Sequence, residues 1–156
     1  MATIVKYVYN HTALKLLKLS MENEKHNFKF KLLNLSTPSA FFNPSHTLVS
    51  QVDNSGSNEV SGFGWPLGGF TLLNPSLEIF NINEACLKFA NIYQLISGGI
   101  LGPFTSGIIF IDENGLGTTL TPIIFIDYNE TKTVSDGYPF QLVISETGLF
   151  RQNFIY

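Results

Sequence analysis

Residues 26–33, HNFKFKLL, set Phe28, Phe30 and Leu32 against Asn27, Lys29 and Lys31. That period of two predicts a strand with one buried and one solvated face. Residues 2–9, ATIVKYVY, are β-branched and aromatic and predict an extended strand. Between them, Leu14, Leu16 and Leu17 recur at helical spacing, so a short helix is expected there with Asn10 or Thr12 as its cap. From Asn34 to Gly69 the pattern dissolves into Pro, Ser, Asn and Gly. STPSAFFNPS reads as turns, SHTLVSQV as one or two helical turns, and DNSGSNE as a flexible turn. A stretch this long is expected to hold short pieces of its own and to present a surface.

Beyond Gly69 the period of two returns. FTLLNPSLEIF is a strand broken at Pro75, which cannot donate to a ladder, and CLKFANIYQLI alternates less cleanly. GIIFIDENG (107–115) and PIIFIDYNE (122–130) share the pentapeptide IIFID and predict neighbouring antiparallel core strands. PFQLVIS alternates Phe140, Leu142 and Ile144 against Gln141, Val143 and Ser145, and LFRQNFIY supplies a last strand. Seven or eight strands separated by turn signals predict a mainly β chain. The expected fold is an antiparallel β-sandwich with one or two short helices near the N-terminus. Residues 1–156 then form a single domain in which 34–69 is a long Gly/Pro/Ser/Asn-rich loop region; 17.4 kDa suits one core.

Composition narrows the function classes. Charged residues are 13% of the chain, about half the roughly 25% usual for soluble domains. Few ions must then be stripped of water when a surface packs against a neighbour. The net charge is −3 and Arg151 is the only arginine, which argues against nucleic-acid binding. Lys15, Lys18, Lys25, Lys29 and Lys31 are interrupted by Glu22 and Glu24 and read as a solvated face rather than a phosphate patch. A single cysteine, Cys86, excludes an internal disulfide and a multi-cysteine zinc site, and its apolar neighbours predict a buried thiol. MATIVKYVYNHTA lacks signal-peptide organisation and no apolar run reaches the roughly 20 residues of a membrane span. A soluble protein made in a cytoplasm, with no membrane association, is therefore expected.

The segment NEVSGFGWPLGGFTL, residues 58–72, groups Gly62, Gly64, Gly68 and Gly69 around the only tryptophan, Trp65. Phosphate loops need a helix directly after the glycines, and a P-loop also needs a Lys-Ser/Thr pair. Here Pro66 follows Trp65, no lysine lies between Gly62 and Gly69, and FTLL favours a strand. The glycines are expected to supply turns and close backbone approach. Trp65 either packs across the end of the fold or stands out for docking, with Phe63 and Tyr138 as the companion interface candidates. His11, His26 and His46 lack ligand spacing. Asp112 and Asp127 end the two IIFID strands; they are either a paired-carboxylate site or, more commonly, turn caps. DYNETKTVSDG is acidic, yet it does not match a calcium-loop spacing. No catalytic residues, metal ligands or cofactor are assigned, and the chain is not expected to be an enzyme.

Several segments together, VYNHTALKLL, NPSHTLVSQV, NEVSGFGWPLGGFTL, SGGILGPF and IIFIDYNETKTVSDGYPFQLVISETGLF, resemble a family of small β-rich structural proteins of tailed bacteriophages. The resemblance extends over nearly the whole chain, including an acidic, glycine-containing cluster at Asp127 and from Lys132 to Gly137. The chain departs from the family pattern at Pro66 and Leu67, where more polar or small residues are expected. The resemblance implies a virion structural protein of the capsid decoration (cement) type. Such a protein packs as a homo-oligomer against the major capsid protein or another virion protein. A tail or head-fibre component that binds a host receptor or glycan is the alternative, with Trp65, Tyr93, Tyr128 or Tyr138 as its aromatic platform.

Overall fold

The computed structural model describes residues 4–15, 27–81, 84–144 and 150–153. Its strands are β1 (Val5–Val8), β2 (Asn27–Leu33), β3 (Glu59–Val60), β4 (Phe70–Thr71), β5 (Ser76–Asn81), β6 (Glu84–Lys88), β7 (Ile92–Leu95), β8 (Leu101–Asp112), β9 (Leu120–Val134), β10 (Pro139–Leu142) and β11 (Phe150–Asn153). Two single-turn helices, α1 (Pro38–Phe41) and α2 (Ser50–Asp53), lie between β2 and β3. All strand pairs are antiparallel, and the mainly β expectation holds.

The two IIFID segments are the centre of the fold. Ile108 faces Phe125 and Ile109 faces Ile124, so β8 and β9 form the expected hairpin. The main sheet runs β1-β9-β8-β2-β3, and β4 also pairs with β2. A bulge between Ile109 and Phe110 shifts the register against β9. Two smaller sheets, β11-β6-β5 and β10-β7, complete the strands.

Why IIFI is apolar without alternation follows from burial on both faces of these strands. Ile109, Ile111, Ile124 and Ile126 turn to one side, into a cluster with Phe28, Phe30, Leu32 and Trp65. Leu87, Ile92 and Phe140, from the smaller sheets, share that cluster. Ile108, Phe110 and Phe125 turn to the other side and meet Tyr9, Leu35, Val49 and Val52. The segment expected as a presenting loop thus covers a sheet face. Each buried Ile, Leu or Phe contributes about 1.5–3 kcal/mol relative to exposure.

Two local expectations are corrected by this second core. The supposedly wet face of β2 is not wet: Lys31 and Leu33 are buried and Lys29 is half-buried. Residues 12–15 do form a helical turn, but the Thr12 hydroxyl donates to the Ile123 carbonyl at 2.8 Å, tying the turn to β9. Most of the leucine-spaced helix candidate, like Lys18, Lys25 and His26, lies outside the described residues.

Candidate functional site: the glycine–tryptophan turn and the β7–β10 ribbon

β3 and β4 both pair with β2: Val60 lies opposite Leu32, and Phe70 opposite Phe30. The glycine segment is the excursion between them. It is therefore a side loop of one sheet edge. Its tip is a tight turn in which Gly62 and Trp65 exchange both backbone hydrogen bonds at 2.9 Å. The two central residues, Phe63 (φ +54°) and Gly64 (φ +99°), both have positive φ, as a type I′ turn demands. Gly64 suits that geometry; a phenylalanine in the left-handed region is strained.

Trp65 points inward and is 2% exposed. Its ring packs against Phe30, Phe70 and Phe140 at centroid distances of 4.7–6.1 Å, and its indole N–H is buried without a partner. It is a packing anchor and not an exposed docking residue. Phe63 is on the other side of the turn, 45% exposed, with its ring over Gly99, where any Cβ would collide with it. The Phe63 carbonyl accepts from Ser97 N–H at 2.9 Å, so the turn is tied to the chain just after β7, on the side away from β10.

Beside this turn, β7 and β10 form a two-stranded ribbon with Leu95 opposite Pro139 and Tyr93 opposite Gln141. Directly paired residues share a face. Ile92, Phe140 and Leu142 face the core, whereas Tyr93, Leu95, Pro139, Gln141 and then Val143 face outward. The outer face carries no charged side chain, and Tyr93 (66%), Leu95 (51%) and Val143 (70%) are widely exposed. Tyr138, also 66% exposed, stands at the start of β10. Of the aromatic platform expected from sequence, Tyr93 and Tyr138 are available at the surface. Tyr128 is not, because it is buried against Phe104.

Several charged groups among the described residues are engaged elsewhere. Lys31 reaches Asp53 Oδ2 at 2.9 Å and Glu59 Oε2 at 3.0 Å, with all three side chains nearly inaccessible. Glu59 also accepts the Gly68 N–H, and Asp53 accepts the Gly56 N–H at 3.1 Å. DNSGSNE is consequently an ordered turn organised by Asp53. Burial alone would lower the Lys31 pKa, but hydrogen bonds and charge from Asp53 and Glu59 outweigh it and hold the ammonium above its usual range. A cleft of about 280 Å³ opens over this network between Ser50, Ser55 and Thr118. The charges at its floor are already paired with one another.

The early lysines do not form one solvated face. Lys15 pairs with Glu113 at 2.6 Å and Lys29 lies 3.6 Å from Asp112. Asp112 and Asp127 are far apart: Asp112 pairs with Leu120 and Asp127 with Ser106, so residues 106 to 112 of β8 separate them. That is about 20 Å along a strand, well beyond a glycosidase pair at roughly 5–9.5 Å. Asp112 caps the turn after β8, accepting the Gly117 N–H at 3.0 Å, but Asp127 does not end its strand: it lies inside β9 and accepts the Asn129 N–H at 2.8 Å where the ladder to β8 is irregular. In the acidic segment, Asp136 accepts the Gly98 N–H and Glu130 pairs with Lys132. Among the described residues no three His, Cys, Asp or Glu side chains gather as metal ligands. Cys86 is buried, and no helix there is long and apolar enough to cross a membrane.

The outer ribbon face was not singled out from sequence, although PFQLV contains its signal. Gln141 and Val143 occupy the predicted outward positions, and one of them is apolar. No protein-family model matches this chain, and no curated protein or solved structure shows significant similarity to it.

Proposed function

We propose that this chain is a structural protein of a bacteriophage particle, a capsid decoration protein that acts by packing and oligomerisation. The observation that carries this reading is the uncharged outer face of the β7–β10 ribbon, which exposes Tyr93, Leu95 and Val143. Exposed apolar surface without charge favours burial against another protein, since charge is depleted at interface centres. The segment resemblance to tailed-phage structural proteins supports the same assignment, with a major capsid protein or other virion protein as neighbour. The test is composition and mechanics of the particle. The chain should occur at a copy number matching the capsid lattice, and particles lacking it should lose head integrity under osmotic or thermal stress. Absence from particles, or a few copies confined to the tail, rejects the decoration role.

Tyr93 and Tyr138, both widely exposed, favour a second reading in which aromatic rings grip a receptor or glycan. Under that reading, Tyr93→Ala with Tyr138→Ala abolishes adsorption and leaves head stability intact. Unchanged adsorption removes it.

A further inference from the structure

The ladder between β7 and β10 fixes which backbone groups of β10 point away from the fold. Ile96 N–H donates to the Tyr138 carbonyl at 3.0 Å, and Gly137 N–H donates to Ile96 at 2.9 Å. Residues of an antiparallel strand alternate in direction, so Phe140 and Leu142 also turn their amides toward β7. Ile144 N–H continues the series toward that side, donating to Asn91 Oδ1 at 2.7 Å. Pro139, Gln141 and Val143 therefore direct their backbone groups outward. Among the described residues no element pairs with that edge of β10.

Edges of this kind are normally blunted by charge, shortness or cover. Among the other strands that end a sheet, β1 carries Lys6, β5 Glu78 and β11 Arg151, while β3 and β4 are two residues long. The Phe63 turn meets the chain just past the free edge of β7, where Ser97 N–H donates to the Phe63 carbonyl. β10, with the sequence PFQL followed by Val143, has no charge, and Pro139 is its single blunting residue.

We infer that a second copy of this chain occupies the β10 edge, pairing antiparallel about a two-fold axis at Gln141. In that register Gln141 faces its own copy and Val143 faces the copy's Pro139. The two Gln141 residues exchange two hydrogen bonds, and each Val143 N–H donates to the opposite Pro139 carbonyl. The amide that Pro139 lacks leaves only the Val143 carbonyl to water. The edge is thus complementary to itself, and no charge opposes the approach of two chains with net charge −3 at this point. Pairing covers Val143 with Pro139 of the copy and sets Tyr138 opposite the copy's Ile144, diagonal to its Leu142. Val143 and Tyr138 are two of the most exposed large hydrophobic side chains, at 70% and 66%. The result is a continuous four-stranded ribbon whose joined outer faces present Tyr93 and Leu95 twice.

Pairing along one four-residue strand buries less than the ~800 Å² per partner of a standard interface. The free dimer is accordingly expected to be weak and reversible. Lattice-bound neighbours would meet at a much higher effective concentration. The proposal names the partner for oligomerisation on a particle and in that sense rests on the function proposed above.

Sedimentation velocity of the purified chain across about 1 μM to 1 mM tests it, a range that brackets the affinity expected for a small interface. A reversible dimer is expected. Gln141→Pro removes only an outward amide and should raise the dissociation constant at least tenfold with the fold intact by circular dichroism. Val143→Lys gives an independent variant with the same expected loss should Gln141→Pro not fold. A chain that stays monomeric throughout overturns the pairing. So does a dimer that survives both β10 variants, or one lost instead through Tyr93→Ser with Leu95→Ser, which would mean face-to-face stacking. A monomeric chain that still occupies particles at lattice copy number removes this inference alone. A β10-paired dimer absent from particles removes the particle assignment alone.

Discussion

Lys31 decides how the 50–69 region is attached. Its ammonium joins Asp53 in the α2 turn and Glu59 in β3 to the centre of β2, with the Phe110 ring 5.6 Å away. Removing the cation leaves two carboxylates buried without their partner, and such losses cost about 3–5 kcal/mol. Lys31→Met should lower stability by that amount in urea titration, whereas Lys15→Met, at a half-exposed ion pair, should cost under ~1 kcal/mol. Equal effects would show that the buried trio is no staple. Tyr128 makes the opposite case. Its hydroxyl is buried without a hydrogen-bond partner, so Tyr128→Phe should raise stability by about 1 kcal/mol in the same assay. Neither property could be read from sequence. Alternation correctly placed Phe28, Phe30 and Leu32 inside, but period two says only that Lys31 faces the opposite side. Whether that side is wet depends on residues 49–53, more than fifteen positions away, folding over it.

Strands were the most legible elements because their signal is local. IIFID occurring twice indicated the β8–β9 hairpin, and Pro75 marked the break between β4 and β5. The glycine segment was legible only by exclusion: it lacks lysine and a following helix. Its actual part, a turn between two short strands of one edge that buries Trp65 and is tied to the chain just after β7, depends on pairings to β2 that no local pattern encodes. The turn stores strain at Phe63, whose φ is +54°. Asparagine tolerates the left-handed region far better than phenylalanine. Phe63→Asn should therefore relieve backbone strain of about 1 kcal/mol while losing part of the ring's contact with Gly99. A melting temperature within a few degrees of the parent's is expected, and dimerisation through β10 should be unaffected. A collapse in stability would mean the ring, and not the turn geometry, holds β7 in place.

At the scale of the molecule, the central sheet divides the interior into two cores, and one buried phenol sits in each. Tyr9 belongs to the cluster under residues 35–52, and Tyr128 to the cluster shared with the smaller sheets. Burial pushes both phenols well above their ordinary value of 10.0. Lys31, above 10.5, belongs with them, because its carboxylate partners outweigh its desolvation. All three groups hold a proton in the fold at a pH where the unfolded chain has released it. A raised folded pKa contributes stability that is complete below the unfolded pKa and is lost as pH rises toward the folded value. Stability should hence be level to about pH 9 and fall steeply from about pH 10 upward, with both cores and the staple failing in the same window. Phenolate absorbance checks this directly. The phenolate signal of Tyr9 and Tyr128 should appear only with unfolding, and Tyr9→Phe with Tyr128→Phe should remove that component and make the alkaline decline shallower. Reversible ionisation of Tyr9 and Tyr128 near pH 10 in a still-folded chain would contradict the buried, protonated state of both phenols.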